Sequence, residues 1–378
     1  MYEFNLNNNH SFTREHTQIA KGIAILLMVY HHLFVEPARL GGKYISVINL
    51  AGFDLQSVFA NFAKICVGIF LFLSGIGLYY TLSKYGSLKQ MYKKAGQHAL
   101  KFMLNFWIIA LLLFPIGISK SFFSLTLKDL FYIVFASHGK VLEWWFVRQY
   151  IAVLVYAPLF VNLFRQTSAK KRVLPLIAVF FIWLVLRIAV KFIPADGASG
   201  IIRSVFSEYL WCFDNYACLI VFISGILCAR YDIVTCFMKE KSIKDKMLLS
   251  LFFCFAATII RVRFSNSPES MKVDCFVVPM FILPLTSLLY GTKCSRIMMW
   301  LGKHSTNIWL THTFWCYYYW QKIVLIPRYS VLIYIWLLIL SLASSYIINL
   351  IYVPVSNLLF SREHRFSYNN YLFFKINR

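Results

Sequence analysis

The sequence predicts an all-α integral membrane protein: a polytopic bundle of about ten transmembrane helices with both termini in the cytoplasm. Three observations carry this. First, the 378 residues are 60% hydrophobic and 14% charged, whereas a soluble domain is about 45–50% apolar and about 25% charged. With so few polar groups the chain cannot cover a water-facing surface, so lipid must be the solvent for much of it. Second, the apolar residues gather into runs close to the roughly 20 residues that a helix needs to cross a bilayer. Third, the densest Lys and Arg clusters fall in alternate connections, as cytoplasmic loops require.

The runs, in order, are 19–35, 62–82, 99–118, 143–164, 173–193, 209–229, 246–260, 273–291, 300–321 and 331–355. The seventh is short, and so is the first unless it continues past Val35. The stretch 122–137 holds Lys128 and Asp129 and reads as an interfacial or re-entrant helix. With residues 1–18 as a cytoplasmic segment, the inner connections carry Lys84, Lys89, Lys93, Lys94 and Lys101, then Arg165, Lys170, Lys171 and Arg172, then Arg230, Lys239, Lys241, Lys244 and Lys246. The basic tail 356–378 returns to the same side. The span 19–355 is then a single membrane domain in the cytoplasmic (inner) membrane. Trp144, Trp145, Trp211 and the run from Trp315 to Trp320 fall at outer ends, and Trp300 at an inner end. Aromatic belts at the membrane interfaces take these places.

The net charge of +23 is therefore explained by topology, and no nucleic-acid partner is expected. None of the nine cysteines belongs to a C-x-x-C pair, so they read as small buried hydrophobes and no metal site is expected. The first residues lack the apolar core of a cleavable signal peptide. The loops are short, so any chemistry sits within or beside the helices.

Several polar residues interrupt the apolar runs. Lys21 and His32 are eleven residues apart in the first span. Eleven steps of a helix return to nearly the same face, about 16 Å further along. A neutral imidazole at that depth suits a general base, and a histidine bridging two helices is the plainer role. Phe70 to Gly77 contains Ser74, Gly75 and Gly77, which suits close helix packing. Glu143 and Arg148 open the fourth span, five residues apart and too far round a helix to pair. Arg148 therefore needs a carboxylate from another helix, and Glu208, Asp214 and Asp274 are the candidates. In the ninth span His304, Asn307, Thr311 and His312 share or adjoin one face, and polar helix–helix bonding competes there with a binding role. The chain carries no H-E-x-x-H, G-x-S-x-G, P-loop or Rossmann glycine pattern.

These segments together resemble the acyltransferase-3 family of integral membrane O-acyltransferases. Lys21-x10-His32 is similar to that family's Arg-x10-His, with Lys in place of Arg. Phe70–Gly77 resembles its aromatic–Ser–Gly motif, Trp145-Phe146 through Pro158 its tryptophan segment, and Leu301-Gly302 to His312 its late histidine segment. The lysines Lys93, Lys94 and Lys101 stand where the family is arginine-rich. The resemblance implies transfer of an acyl group, with acetyl as the expected one, from acyl-CoA to a hydroxyl of a cell-envelope polysaccharide or lipid-linked sugar. It implies His32 as the catalytic base, with His31 as the alternative. Lys21, Lys94 and Lys101 then attract polyanionic CoA, and Trp145, Arg148, Glu143 and His312 hold the acceptor, with Trp144 as a second stacking face. A transporter or flippase for a glycan or lipid-linked intermediate is the competing reading.

Overall fold

A computed structural model describes residues 12–41, 44–47, 54–122, 124–137, 141–166, 169–238, 242–264 and 270–360. Residues 1–11 and the tail from 361 lie outside these, as do Lys239 and Lys241. Secondary structure is helical throughout the described residues, apart from one isolated bridge between Ile45 and Tyr329.

The helices are α1 (Arg14–Phe34), α2 (Leu55–Ala63), α3 (Cys66–Leu82), α4 (Leu88–Ser119), α5 (Leu127–Val134), α6 (Trp145–Arg165), α7 (Ala169–Phe192) and α8 (Gly197–Asp214). They continue with α9 (Tyr216–Arg230), α10 (Ile233–Met238), α11 (Ile243–Arg263), α12 (Ser270–Leu289), α13 (Lys293–Thr313), α14 (Gln321–Val324) and α15 (Ser330–Leu359).

All ten expected segments fall in helices, but they are not equally suited to lipid. Among the described residues six helices are long and apolar enough to cross a membrane, or seven if α8 and α9 count as one span. Three expected spans fail that measure because of their polar residues. In α1 these include Lys21, His31 and His32; in α11, Lys244, Asp245, Lys246, Arg261 and Arg263; in α13, Lys303, His304, Asn307 and His312.

Three segments differ in shape from the expectation. The stretch 209–229 is broken at Asn215, whose Oδ1 accepts from Cys218 N–H and caps the start of α9. The stretch 300–321 leaves the α form after Thr313 for a π turn over Phe314–Tyr318, closed by Tyr319 N–H donating to Phe314 O at 2.8 Å. Among the described residues of 122–137 only α5 is helical, and eight residues reach only about 12 Å, too short to cross. Its Asp129 is taken up in a capping box with Thr126, which accounts for one of the charges in that stretch.

The chain divides into two units, and the division falls within α3, α9 and α13. The first unit comprises residues up to Pro37, Ser46–Gly77 and Ile220–Thr306. In it α11 and α12 pack together, and α1 packs on α2 and α12. Small residues set the closest approaches. A Cβ on Gly75 would lie 2.2 Å from Phe222 O, and one on Gly225 would lie 2.1 Å from Phe72 O. The Ser74-Gly75 stretch is thus a packing device, and Ser74 Oγ donates back to Phe70 O at 2.7 Å.

The second unit comprises Ala38–Ile45, Leu78–Leu219 and the chain from Asn307 onward. Here α4 packs on α6 and α15, and α6 on α7 and α8. A buried amide chain joins three of its helices: Asn105 Nδ2 donates to Asn307 Oδ1 at 2.7 Å, and Asn307 Nδ2 to Asn349 Oδ1 at 3.0 Å. Asn307 therefore does the helix–helix bonding that its place in α13 suggested. Cys66, Cys212, Cys218, Cys228 and Cys316 are buried as small hydrophobes, whereas Cys294 is exposed.

Candidate functional site

In the first unit the site is built on α1. Thr13 caps its N-terminus, and His16 Nδ1 accepts from Thr13 N–H at 3.1 Å to complete the capping box. His16 is buried and stacks on Tyr290 with ring centres 4.1 Å apart. It lies ahead of the apolar stretch that begins at 19. Burial, with a smaller effect from the charge of Lys246, pushes its imidazole down to about 4.

The helix runs unbroken from Arg14 to Phe34, so Lys21 and His32 do share a rod and nearly a face. Gly22 fits α1 against α13, since a Cβ there would lie 2.1 Å from Met298 O. Lys21, next to this contact, is half-buried and has no ion-pair partner among the described residues. His31 Nδ1 lies 2.7 Å from Ala60 O on α2. A carbonyl only accepts, so Nδ1 carries the hydrogen and Nε2 is the basic nitrogen of His31. The His32 ring meets the His31 ring edge-on at 5.3 Å and is half-buried.

In the second unit the polar centre is Glu143, in the 3-10 turn Leu142–Trp144 that leads into α6. Its two oxygens go to different partners. Arg39 Nη2 donates to Oε1 at 2.7 Å, and Tyr318 OH donates to Oε2 at 3.0 Å. Arg39 also lies 3.6 Å over the Tyr317 ring. Gln321 Nε2 then bonds Arg39 O at 2.7 Å and Cys316 O at 3.0 Å. Burial lowers the Arg39 guanidinium, but the bond to Glu143 together with the charges of Glu143, Tyr317 and Tyr318 outweighs that and holds it above its ordinary value. Neither Arg39 nor Tyr318 stood out in sequence, because each reads there as an ordinary loop or interfacial residue.

His312 is buried and lies within electrostatic reach of Glu143. Its Nδ1 points back to Trp309 O at 2.8 Å and Ile308 O at 3.1 Å, which makes Nε2 the basic nitrogen here too. Trp144 is no open stacking face. Its Nε1 donates to Leu310 O at 3.0 Å, and its ring is packed by Phe106, Phe114 and Phe314. Trp145, half-buried against Phe146, keeps exposed ring area.

The three carboxylates proposed for Arg148 go to three different arginines. Glu208 is the partner of Arg148, at 3.1 Å from Nε, and Arg148 Nη1 also donates to Ala136 O. Asp214 pairs with Arg187 and accepts from Trp183 Nε1. Asp274 pairs with Arg261 in the first unit. Lys94 and Lys101 lie seven residues apart on α4, both half-buried, and Lys101 Nζ sits 4.9 Å over the Phe360 ring. Of the sequence candidates, Lys21 and His32 thus belong to the first unit, and Lys94, Lys101, Glu143, Trp145, Arg148 and His312 to the second. Among the described residues no three His, Cys, Asp or Glu side chains cluster as a metal site.

Residues 18–350 match the family model described as an acyltransferase domain. The chain belongs to the acyltransferase-3 family. The matched region begins just before Lys21 and contains every candidate residue named above. Comparisons with curated proteins and with solved structures found no match. Family membership and the long apolar helices make this an acyltransferase of a membrane.

Proposed function

We propose that the protein transfers an acyl group, acetyl in the first instance, from acyl-CoA to a hydroxyl of a cell-envelope polysaccharide or lipid-linked sugar, and that it does so in the cytoplasmic membrane with both termini inside. The observation that carries this reading is α1: one unbroken helix, within the matched acyltransferase region, that bears a half-buried lysine and a histidine pair.

His32 is the base. It takes the proton of the acceptor hydroxyl as that oxygen attacks the thioester carbonyl. A C–O bond forms, the C–S bond breaks, and the proton passes on to the departing CoA thiolate. The Nδ1 bond of His31 to Ala60 O fixes the neighbouring ring. Lys21, Lys94 and Lys101 attract the phosphates of CoA. As ammonium groups they act as point charges and not as forks. Trp145, Arg148, Glu143 and His312 hold the sugar acceptor.

The test is consumption of radiolabelled acetyl-CoA by the purified full chain in nanodiscs, alone and with added envelope glycan. The expected result is slow thioester hydrolysis that the acceptor accelerates. No CoA binding and no thioester loss would contradict acyl-CoA as the donor.

A further inference from the structure

The first unit holds a second charged centre that the acyl-transfer reading above does not use. Arg261 on α11 and Asp274 on α12 are each 1% exposed. Their contact is one-sided: Arg261 Nε lies 3.2 Å from Asp274 Oδ1. That contact is ionic only: none of the three guanidinium nitrogens of Arg261 makes a hydrogen bond among the described residues, and Nη1 and Nη2 have no carboxylate oxygen opposite them. A structural Arg–carboxylate pair of this kind ordinarily uses two parallel bonds. Here the carboxylate lies on the Nε side and against Gly68 of α3, where a Cβ would come 3.2 Å from Asp274 Oδ2.

A buried guanidinium whose terminal nitrogens lack acceptors is costly in any protein, and more so in a membrane. Such a residue marks a binding site by default. Local charge adds a direction. Lys64 acts electrostatically on Asp274, so two cations face one carboxylate and an anion is favoured. The unpartnered edge of the fork matches two oxygens of one oxyanion. Through α2 the centre adjoins the histidine helix: α2 is capped by Lys64, packs on both α1 and α11, and supplies the Ala60 carbonyl to His31.

We propose that the Nη1/Nη2 edge of Arg261 binds a phosphoryl oxyanion of one of the two substrates. This rests on the acyl-transfer reading, in which CoA and a lipid-phosphate-linked acceptor both present that group. Gly68 and Asp274 are positioning residues that keep the edge clear.

The test uses the full chain in nanodiscs and measures Kd for CoA and for a polyprenyl phosphate. The main variant is Arg261→Met with Asp274→Leu. Replacing a buried pair by apolar residues of similar size is commonly neutral or stabilising, so this protein should remain folded and monodisperse. Its affinity for one probe should fall roughly ten- to a hundredfold, as loss of a charge-assisted bond predicts. Loss of CoA assigns the edge to the donor, and loss of the polyprenyl phosphate assigns it to the acceptor. Arg261→Lys, which keeps the charge without the fork, should weaken the same probe, and it serves if the double variant fails to fold. Unchanged affinity for both probes in either folded variant overturns the proposal, as does failure of the wild type to bind either one. Probe binding without thioester turnover would contradict acyl transfer and leave the Arg261 site standing.

Discussion

Glu143 Oε1 and Arg39 Nη2 are 2.7 Å apart, joined across 104 residues of chain. The carboxylate is almost wholly buried and the guanidinium a third exposed. The pair ties the segment after α1 to the start of α6, and Tyr318 brings in the π turn through the other oxygen. Glu143→Gln removes the charge attraction and leaves Arg39 half-desolvated. We expect a loss of about 1–3 kcal/mol, less than for a fully buried pair because Arg39 meets solvent. Tyr318→Phe should cost about 1 kcal/mol. Thermal unfolding in detergent checks both, and a double-mutant cycle of Arg39→Ala with Glu143→Gln should give a coupling energy well above zero.

Gly75 and Gly77 lie two residues apart on α3 and should respond differently to one added methyl. A Cβ on Gly75 would overlap Phe222 O at 2.2 Å, whereas one on Gly77 meets nothing within 4 Å. Gly75→Ala forces α3 and α9 apart and should lower yield and melting temperature sharply. Gly77→Ala should melt as the wild type does, or slightly higher, because alanine favours the helix by up to about 1 kcal/mol.

His16 predicts a pH dependence of stability. Its folded value of about 4 lies below the ordinary 6.5, so the unfolded chain binds more protons between these values. Stability contributed by the neutral ring is complete above pH 6.5 and drains away as pH falls toward about 4. Melting temperatures measured from pH 7.5 to 4.5 should fall across that window in the wild type. His16→Gln should flatten the decline, and equal slopes in the two proteins would remove His16 as its source.

Asn307 sits between two amides and uses both of its own groups. Asn307→Leu leaves Asn105 and Asn349 each short of a partner in a buried place. We expect a destabilisation of about 1–2 kcal/mol, within the range known for interhelical hydrogen bonds in membranes, with CoA affinity unchanged. A combined leucine replacement at all three positions should recover part of the loss, because no orphaned amide remains.

What could be read from the sequence was what local spacing encodes. The Lys21–His32 interval needs only a helix of known pitch, and α1 supplies it unbroken. Apolar run length likewise located α4, α6, α7, α12 and α15. Partner choice was out of reach where it depends on folding at long range. The sequence offered three carboxylates to Arg148, and only the packing of α6 on α8 selects Glu208. Arg39 looked like one more loop charge, and nothing near it names Glu143. The π turn after Thr313 also escaped notice, because apolar and aromatic composition continues through it, and at the Asn215 break Asp214 was read only as a charge partner. Trp144 and Trp145 look alike in sequence, yet burial commits one ring to packing and leaves the other partly open.

The central claim is that His32 is the base, and single-turnover acyl release from radiolabelled acetyl-CoA tests it most directly. The comparison is between wild type, His32→Ala and His31→Ala, with CoA affinity measured in parallel. A base contributes roughly 100- to 10,000-fold to its step. His32→Ala should therefore fall by at least about a hundredfold with CoA affinity intact, and His31→Ala should fall less. Full turnover in His32→Ala, with the loss appearing in His31→Ala instead, would contradict the assignment and move the base one residue along α1.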